Sequence, residues 1–109
     1  MGSVEAEGDE IYDGILVSEL RLDSVEWSPE QVDHIRTRSK RYPGALDLEP
    51  EWATEAALDP RARIGRDSVS KTGEGIRVTG WSGGARRVLT VILLPVAHPP
   101  DGVWLGATA

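Results

Sequence analysis

The segment that most constrains the fold of this chain is "RRVLTVILLP", residues 86–95, because almost every position after its first two is apolar. Strands covered on one face alternate between apolar and polar residues, whereas strands covered on both faces read as continuous apolar runs. The segment therefore predicts a central strand of a sheet, buried on both faces. The apolar run ends at Ala97 and is far shorter than the roughly 20 residues of a membrane-spanning helix, so no membrane association is expected.

Further segments predict the neighbouring strands. "IRVTGW" alternates cleanly and places Ile76 and Val78 on one face. "ARIGRD" precedes it across a polar loop, and "VWLGAT" follows the proline-rich loop "VAHPPDG". Closer to the N-terminus, the short alternation of "SELRLD" predicts one strand or two short ones.

Two helices are predicted between the first strand and the rest of the sheet. In "SPEQVDHIRTRSK", Ser28 is a good N-cap and Pro29 occupies the first helical position, while "YPG" ends the helix. In "LEPEWATEAALDP", Pro50 begins a second helix that ends before Pro60. The resulting order predicts an α+β fold, with two short helices followed by a mainly antiparallel sheet of four to five strands.

The chain has 109 residues, which is the size of one domain. Residues 1–14 are acidic and aperiodic and predict a disordered arm, and residues 15–109 predict a single domain. The absence of cysteine excludes disulfides and fits the cytoplasm, which is the expected location. His34 and His98 lie far apart, without carboxylates spaced as in metal sites, so neither a metal nor another cofactor is expected.

Positive charge is concentrated in two places, although the net charge is −6. Residues 1–30 carry a net charge of −8 and residues 31–109 a net charge of +2. The first cluster lies in the predicted first helix and consists of Arg36, Arg38, Lys40 and Arg41. The second lies on and around the predicted strands and consists of Arg61, Arg63, Arg66, Lys71, Arg77, Arg86 and Arg87. Each cluster is either a solvated surface or a phosphate-binding face, and a helix packed at the sheet edge would join the two in one groove.

Four segments together resemble the BrnT-type toxins of bacterial toxin–antitoxin systems, which have a RelE-like ribonuclease fold. These are "VEWSPEQVDHI", "EWATEAALDP", "GEGIRVTGW" and "RRVLTVILLP". The resemblance covers about residues 24–109 and rests on the order and spacing of the segments. It implies an α+β toxin that is neutralised by an antitoxin-like protein partner.

The resemblance also implies a metal-independent ribonuclease, in which a 2′-hydroxyl attacks the adjacent phosphate. On this sequence, Arg77 and Lys40 are the candidates for stabilising the charge that develops on the phosphorane. His34 is the candidate acid–base group because histidine titrates near neutrality. The residues expected to bind RNA phosphates are Arg36, Arg38, Arg41, Arg61 and Arg63.

Two alternatives remain open from the sequence. In the first, the same fold is a non-catalytic interaction module that binds a partner protein through its basic face, and a homo-oligomer is possible. The chain has "KRYPG" after its first helix where the toxins have Lys-His-Gly, and a degenerate member of the family would retain only the binding role. In the second, the protein is an unrelated α+β domain whose charges only solvate its surface.

Overall fold

The computed structural model describes residues 11–67 and 74–109. The strands within these ranges are β1 (Ile11–Tyr12), β2 (Ile15–Leu16), β3 (Ser24–Glu26), β4 (Arg63–Arg66), β5 (Ile76–Ser82), β6 (Arg87–Pro95) and β7 (Val103–Thr108). The helices are α1 (Pro29–Arg36), α2 (Arg38–Arg41) and α3 (Pro50–Ala57), with a 3-10 turn at Val17–Glu19. Residues 11–14 of the predicted N-terminal arm belong to the β1–β2 hairpin. Residues 1–10 of that arm lie outside the described part, so the prediction of a disordered arm stays a prediction for them.

The main sheet has five strands in the order β3-β7-β6-β5-β4. The pair β3 and β7 is parallel, whereas the other three pairs are antiparallel. The predicted α+β fold with a mainly antiparallel sheet is therefore confirmed. The hairpin of β1 and β2 forms a separate two-stranded sheet.

One face of the main sheet is covered, and it carries the core of the protein. Ile76 and Val78 on β5 and Val91 and Leu93 on β6 have no solvent exposure. Helix α3 packs on this face through small side chains, and it comes so close that a Cβ on Gly80 of β5 would lie 2.1 Å from a backbone oxygen of the helix. We call this surface the covered face.

The N-terminal hairpin completes the core at the other end of the sheet. Tyr12 is 3% exposed and lies 6.0 Å from the ring of Trp104, which is fully buried on β7. The indole nitrogen of Trp104 donates to the carbonyl oxygen of Arg21 at 2.8 Å. These contacts of Tyr12 and Trp104 fix the polypeptide before β3 against the last strand.

The first predicted helix is divided into α1 and α2. Its start is as expected, since the Ser28 hydroxyl accepts a hydrogen bond from the Gln31 backbone N–H at 3.2 Å. At Thr37 the backbone leaves the helical region, with φ −122° and ψ 29°, and the Thr37 hydroxyl donates to the Asp33 carbonyl at 2.8 Å. Such threonine bonds to the preceding turn compete with the helical hydrogen bonds and bend helices.

Strand β6 is central, as predicted, but it is covered on one face only. Leu89, Val91 and Leu93 are buried on the covered face, whereas Val88 is 59% exposed and Thr90 is also exposed on the opposite face. The expectation that both faces of this strand are buried is therefore wrong for the described residues. We call the opposite surface of the sheet the open face.

Candidate functional site

The open face is a continuous surface that extends across the sheet. The registers between the strands place every second residue of each strand on this face. Its principal side chains are Glu26, Arg63, Arg77, Thr79, Trp81, Val88, Thr90, Ile92, Leu94 and Leu105. The sequence predicted only its arginines as functional residues.

The arginines form the edge of the open face that is made by β4 and β5. Arg63 lies opposite Thr79, and Arg77 lies opposite Gly65, so the two guanidinium groups are on neighbouring strands of the same face. They line a shallow depression of about 190 Å³. Arg77 also makes an ion pair with Asp67 at 3.3 Å, and its side chain nevertheless remains 48% exposed. This edge can bind an anion, because each arginine presents several N–H donors in a planar fork.

Apolar side chains dominate the remainder of the open face. Trp81 on β5 lies directly opposite Val88 on β6, and their exposed fractions are 52% and 59%. Leu94 and Leu105 form a second apolar pair on β6 and β7. They line a groove of about 200 Å³ that also includes Glu26 at the β3 edge.

Two carboxylates hold the β5–β6 hairpin in place beneath the open face. Glu55 on α3 accepts hydrogen bonds from the Ser82 hydroxyl at 2.8 Å and from the Gly84 backbone N–H at 2.9 Å. Asp59 accepts from the Trp81 backbone N–H at 2.9 Å, at a point where β5 extends beyond its partner β4. These hydrogen bonds favour the charged form of both carboxyl groups. The largest effect on the pKa of Glu55 comes from the backbone N–H of Gly84, and the largest effect on the pKa of Asp59 from the backbone N–H of Trp81. Each lowers the pKa of its carboxyl below the ordinary value.

The helical cations expected to bind RNA make contacts within their own part of the fold. Arg36 pairs with Glu49 at 2.9 Å, which joins α1 to the start of α3. Arg38 donates to the carbonyl oxygen of Leu46 at 3.3 Å. Arg41 donates to the Thr37 hydroxyl at 3.2 Å and to the carbonyl oxygen of His34.

A carboxylate next to α2 belongs to the same set of contacts. Asp47 accepts from the backbone N–H of Ser39 at 2.8 Å and from its hydroxyl at 3.0 Å. These two bonds, with smaller effects of Lys40 and Arg38, lower the pKa of the Asp47 carboxyl. Contacts of the α1 and α2 residues with residues 46–49 thus stabilise the connection between α2 and α3.

The three residues predicted to be catalytic lie on three different elements of the fold. His34 lies next to Ile35, whose side chain is fully buried in the core, and Lys40 lies on α2. Arg77 alternates with Ile76 and Val78 of the covered face and therefore points to the open face. The depression lined by Arg63 and Arg77 includes none of the described cations of α1 and α2. The structure does bring Arg63 and Arg77 together, with Arg61 in the turn before β4.

A second cleft, of about 430 Å³, is lined by Tyr12, Asp13, Arg66, Glu74 and His98. The His98 ring lies between two carboxylates, with its Nδ1 3.5 Å from Asp13 and its Nε2 2.9 Å from Glu74. Arg66 lies 5.6 Å from the centre of the Tyr12 ring, and Tyr12 donates a hydrogen bond to the Glu74 carbonyl oxygen. Burial and the negative charges of Glu74 and Asp13 raise the Tyr12 pKa above its ordinary value, against a smaller opposing effect of Arg66. Sequence reasoning missed this cleft, because its residues come from three distant segments and share no motif.

In the part of the chain that the structure describes, no group of three or more histidine, cysteine, aspartate or glutamate side chains is arranged to hold a metal ion. Within the same residues, no helix has the length and apolar character needed to cross a bilayer. No protein-family model, curated protein or solved structure matches the chain significantly. The resemblance to BrnT-type toxins therefore stays a prediction.

Proposed function

We propose that this protein is a non-catalytic interaction module that binds a partner protein through the open face of its sheet. The observation that carries the proposal is the two-sided apolar character of β6. Its sequence is typical of a strand buried on both faces, yet Val88 remains 59% exposed on the open face. A partner that covers the open face would bury the exposed apolar side chains of β6, so that both faces of the strand are covered.

The composition of the open face favours a protein over other ligands. Exposed apolar patches of several hundred Å² are typical of protein–protein interaction sites. Trp81 is an exposed tryptophan next to Val88, and aromatic residues and arginine are enriched at the centres of such interfaces. Arg63 and Arg77 at the edge would favour a partner with carboxylates opposite them.

The proposal is tested by photo-crosslinking in the native host with benzoylphenylalanine at position 88. The matched control carries the same group at Tyr42, which is also 59% exposed but lies at the end of α2. A protein that is captured from position 88 and not from position 42, and whose capture is lost on Trp81→Glu substitution, would support the proposal. Equal capture from both positions would contradict it.

Metal-independent RNA cleavage is the second candidate function, as the resemblance implies. The observation in its favour is that Arg63 and Arg77 lie together on an exposed face, near Trp81, where phosphates could contact guanidinium groups and a base could stack. The dispersed positions of His34 and Lys40 do not support it. An interaction module therefore agrees better with the geometry.

This candidate is tested by incubating a mixed RNA substrate with the protein in the presence of EDTA. The candidate predicts cleavage that is lost in Arg77→Ala and retained in Arg21→Ala, an exposed arginine before β3 that is not among the proposed RNA-binding residues. Arg77→Lys, which keeps a cation beside Asp67, serves as a folding control. Full activity of Arg77→Ala would contradict the catalytic assignment, and no cleavage by the unsubstituted protein would contradict the candidate itself. A truncated form should lack only residues 1–10, since Tyr12 belongs to the core.

A further inference from the structure

We infer that the partner of the open face is a second copy of this chain, related to the first by a two-fold axis that runs parallel to β6. The inference rests on the proposed function and names its partner. Two sheets would then face each other with their helices outside, in a four-layer α/β/β/α arrangement. Face-to-face packing of two sheets about 10 Å apart is a common way to bury an apolar sheet face.

The strand order makes the open face suitable for this symmetry. Strand β6 is the third of five strands, so an axis along it leaves two strands on each side. Strand β6 then lies over β6, and the β4 edge of each copy lies on the same side as the β3 edge of the other, where β4 is level with residues 90–93 of β6 and β3 with residues 94–95. The apolar side chains of β6, including Val88 near the start of the strand and Ile92 near its middle, would meet their own equivalents along the axis, as a self-complementary dimer requires.

Charge complementarity distinguishes this axis from the other in-plane axis. Arg63 and Arg77 lie at the β4–β5 edge, whereas Glu26 lies on the opposite edge strand. An axis parallel to the strands places the arginine edge of each copy over the glutamate edge of the other. An axis perpendicular to the strands would instead place arginines over arginines.

The registers identify the residues that would pair. Arg77 is level with Ile92 of β6, and Glu26 is level with Leu105 and Leu94. Glu26 of the second copy would therefore be displaced from Arg77 by one strand spacing across the sheet and by two residues along the strands. The in-plane distance between the two residues would be about 8 Å. The extended side chains of arginine and glutamate together span such a distance.

The size of the open face predicts a weak dimer. Five strands at about 4.8 Å spacing and about 20 Å length give roughly 500 Å² per copy, or about 1,000 Å² in total. Stable interfaces bury about 1,600 Å², and most crystal contacts bury less than about 800 Å². The expected dissociation constant is therefore on the order of 10 µM to 1 mM.

Sedimentation equilibrium of the full chain over about 10 µM to 1 mM is the first test. We expect the average mass to rise from 11.8 kDa towards twice that value. Val88→Lys should raise the dissociation constant at least about 30-fold, because it places two unpaired cations at the two-fold axis. Glu26→Arg should raise it about fivefold or more. Tyr42→Lys, at an equally exposed residue outside the open face, should leave it unchanged.

Cross-linking tests the direction of the axis, and the absence of cysteine in the chain makes single-cysteine variants unambiguous. With a short bis-maleimide, Thr90→Cys on β6 should cross-link to itself, whereas Arg63→Cys should not. The two copies of residue 63 would be separated by four strand spacings, or about 19 Å, along the sheet.

A monomer at every concentration, a dimer that Val88→Lys does not weaken, or self-cross-linking of residue 63 but not of residue 90 would overturn the inference. Failure of the inference is distinguishable from failure of the proposed function. If the chain is monomeric and a different protein is captured at position 88, the interaction module stands and only its partner changes. If neither is observed, both are wrong.

Discussion

Replacement of Gly80 by alanine tests the close contact between α3 and the sheet, on which the two-layer arrangement depends. A Cβ on residue 80 would lie 2.1 Å from the Ala56 carbonyl oxygen and 3.1 Å from the Ala62 side chain. Real Cβ atoms essentially never approach another heavy atom closer than 3.0 Å, so α3 must withdraw by about 1 Å. The obstacle is backbone, which cannot rotate away as a flexible side chain would.

The cost of this withdrawal follows from what the helix covers. Ala53 and Ala56 are fully buried against the sheet, so moving α3 loosens contacts along the whole helix. Overpacking of a core usually costs about 1–3 kcal/mol, and we expect about 3 kcal/mol here because neither element can yield alone. Against a total stability of about 5–15 kcal/mol, this is a large fraction.

Urea unfolding followed by far-UV circular dichroism measures the effect. With a typical slope of about 1–3 kcal/mol per molar urea, the midpoint should fall by about 1–3 M. Gly83→Ala is the control, since a Cβ at residue 83 has no atom within 4 Å, and its stability should change by less than about 0.5 kcal/mol. Equal midpoints for Gly80→Ala and the unsubstituted protein would refute the described contact between α3 and β5.

Three further predictions concern stability. Trp104→Phe should lower the free energy of unfolding by about 2–3 kcal/mol, because it leaves a cavity in the core and removes the indole N–H that donates to the Arg21 carbonyl oxygen. An unchanged melting temperature in calorimetry would contradict the described burial and hydrogen bond of Trp104. Ser28→Ala should cost about 1 kcal/mol through loss of the α1 N-cap, as measured by urea unfolding, and a neutral result would argue against the cap. Hydrogen bonds lower the pKa values of Glu55 and Asp59 in the folded protein. Above the ordinary carboxyl pKa near 4, these carboxylates contribute their full stabilisation of the fold. This stabilisation is lost as the pH falls through the lower pKa values of the folded state. The urea midpoint should therefore decrease below about pH 4, less steeply in Asp59→Asn; identical profiles for the two proteins would contradict this assignment.

The elements that sequence reasoning located well are those whose signals are local. Ser28 and Pro29 predicted the start of α1, and Pro50 predicted the start of α3, because capping and proline geometry act within one helical turn. The alternation of "IRVTGW" predicted the two faces of β5, since side chains of a strand alternate whatever lies beside it. The helix break at Thr37 was missed, because a single threonine does not by itself end a helix and only its bond to the Asp33 carbonyl oxygen marks the break.

The candidate site was predicted only in part. The alternation of "IRVTGW" predicted that Arg77 lies on the face opposite Ile76 and Val78. It could not show that Trp81 and Val88 become neighbours on that face, because their pairing depends on the register of the β5–β6 hairpin. It also could not show that Arg36 would be paired with Glu49, which comes from beyond the next loop.

By itself, the sequence determined the class of fold, the approximate positions of its helices and of strands β4 to β7, and the two-sided apolar character of β6. These properties follow from local propensities and from periodicity, which are written in consecutive residues. Only the tertiary structure decided which face α3 covers, that the cations of α1 and α2 lie apart from Arg77, and that His98 meets Asp13 and Glu74 in one cleft. The reason is physical: strand order and layer packing bring together residues that are far apart in the chain, and no local pattern specifies which of them will meet.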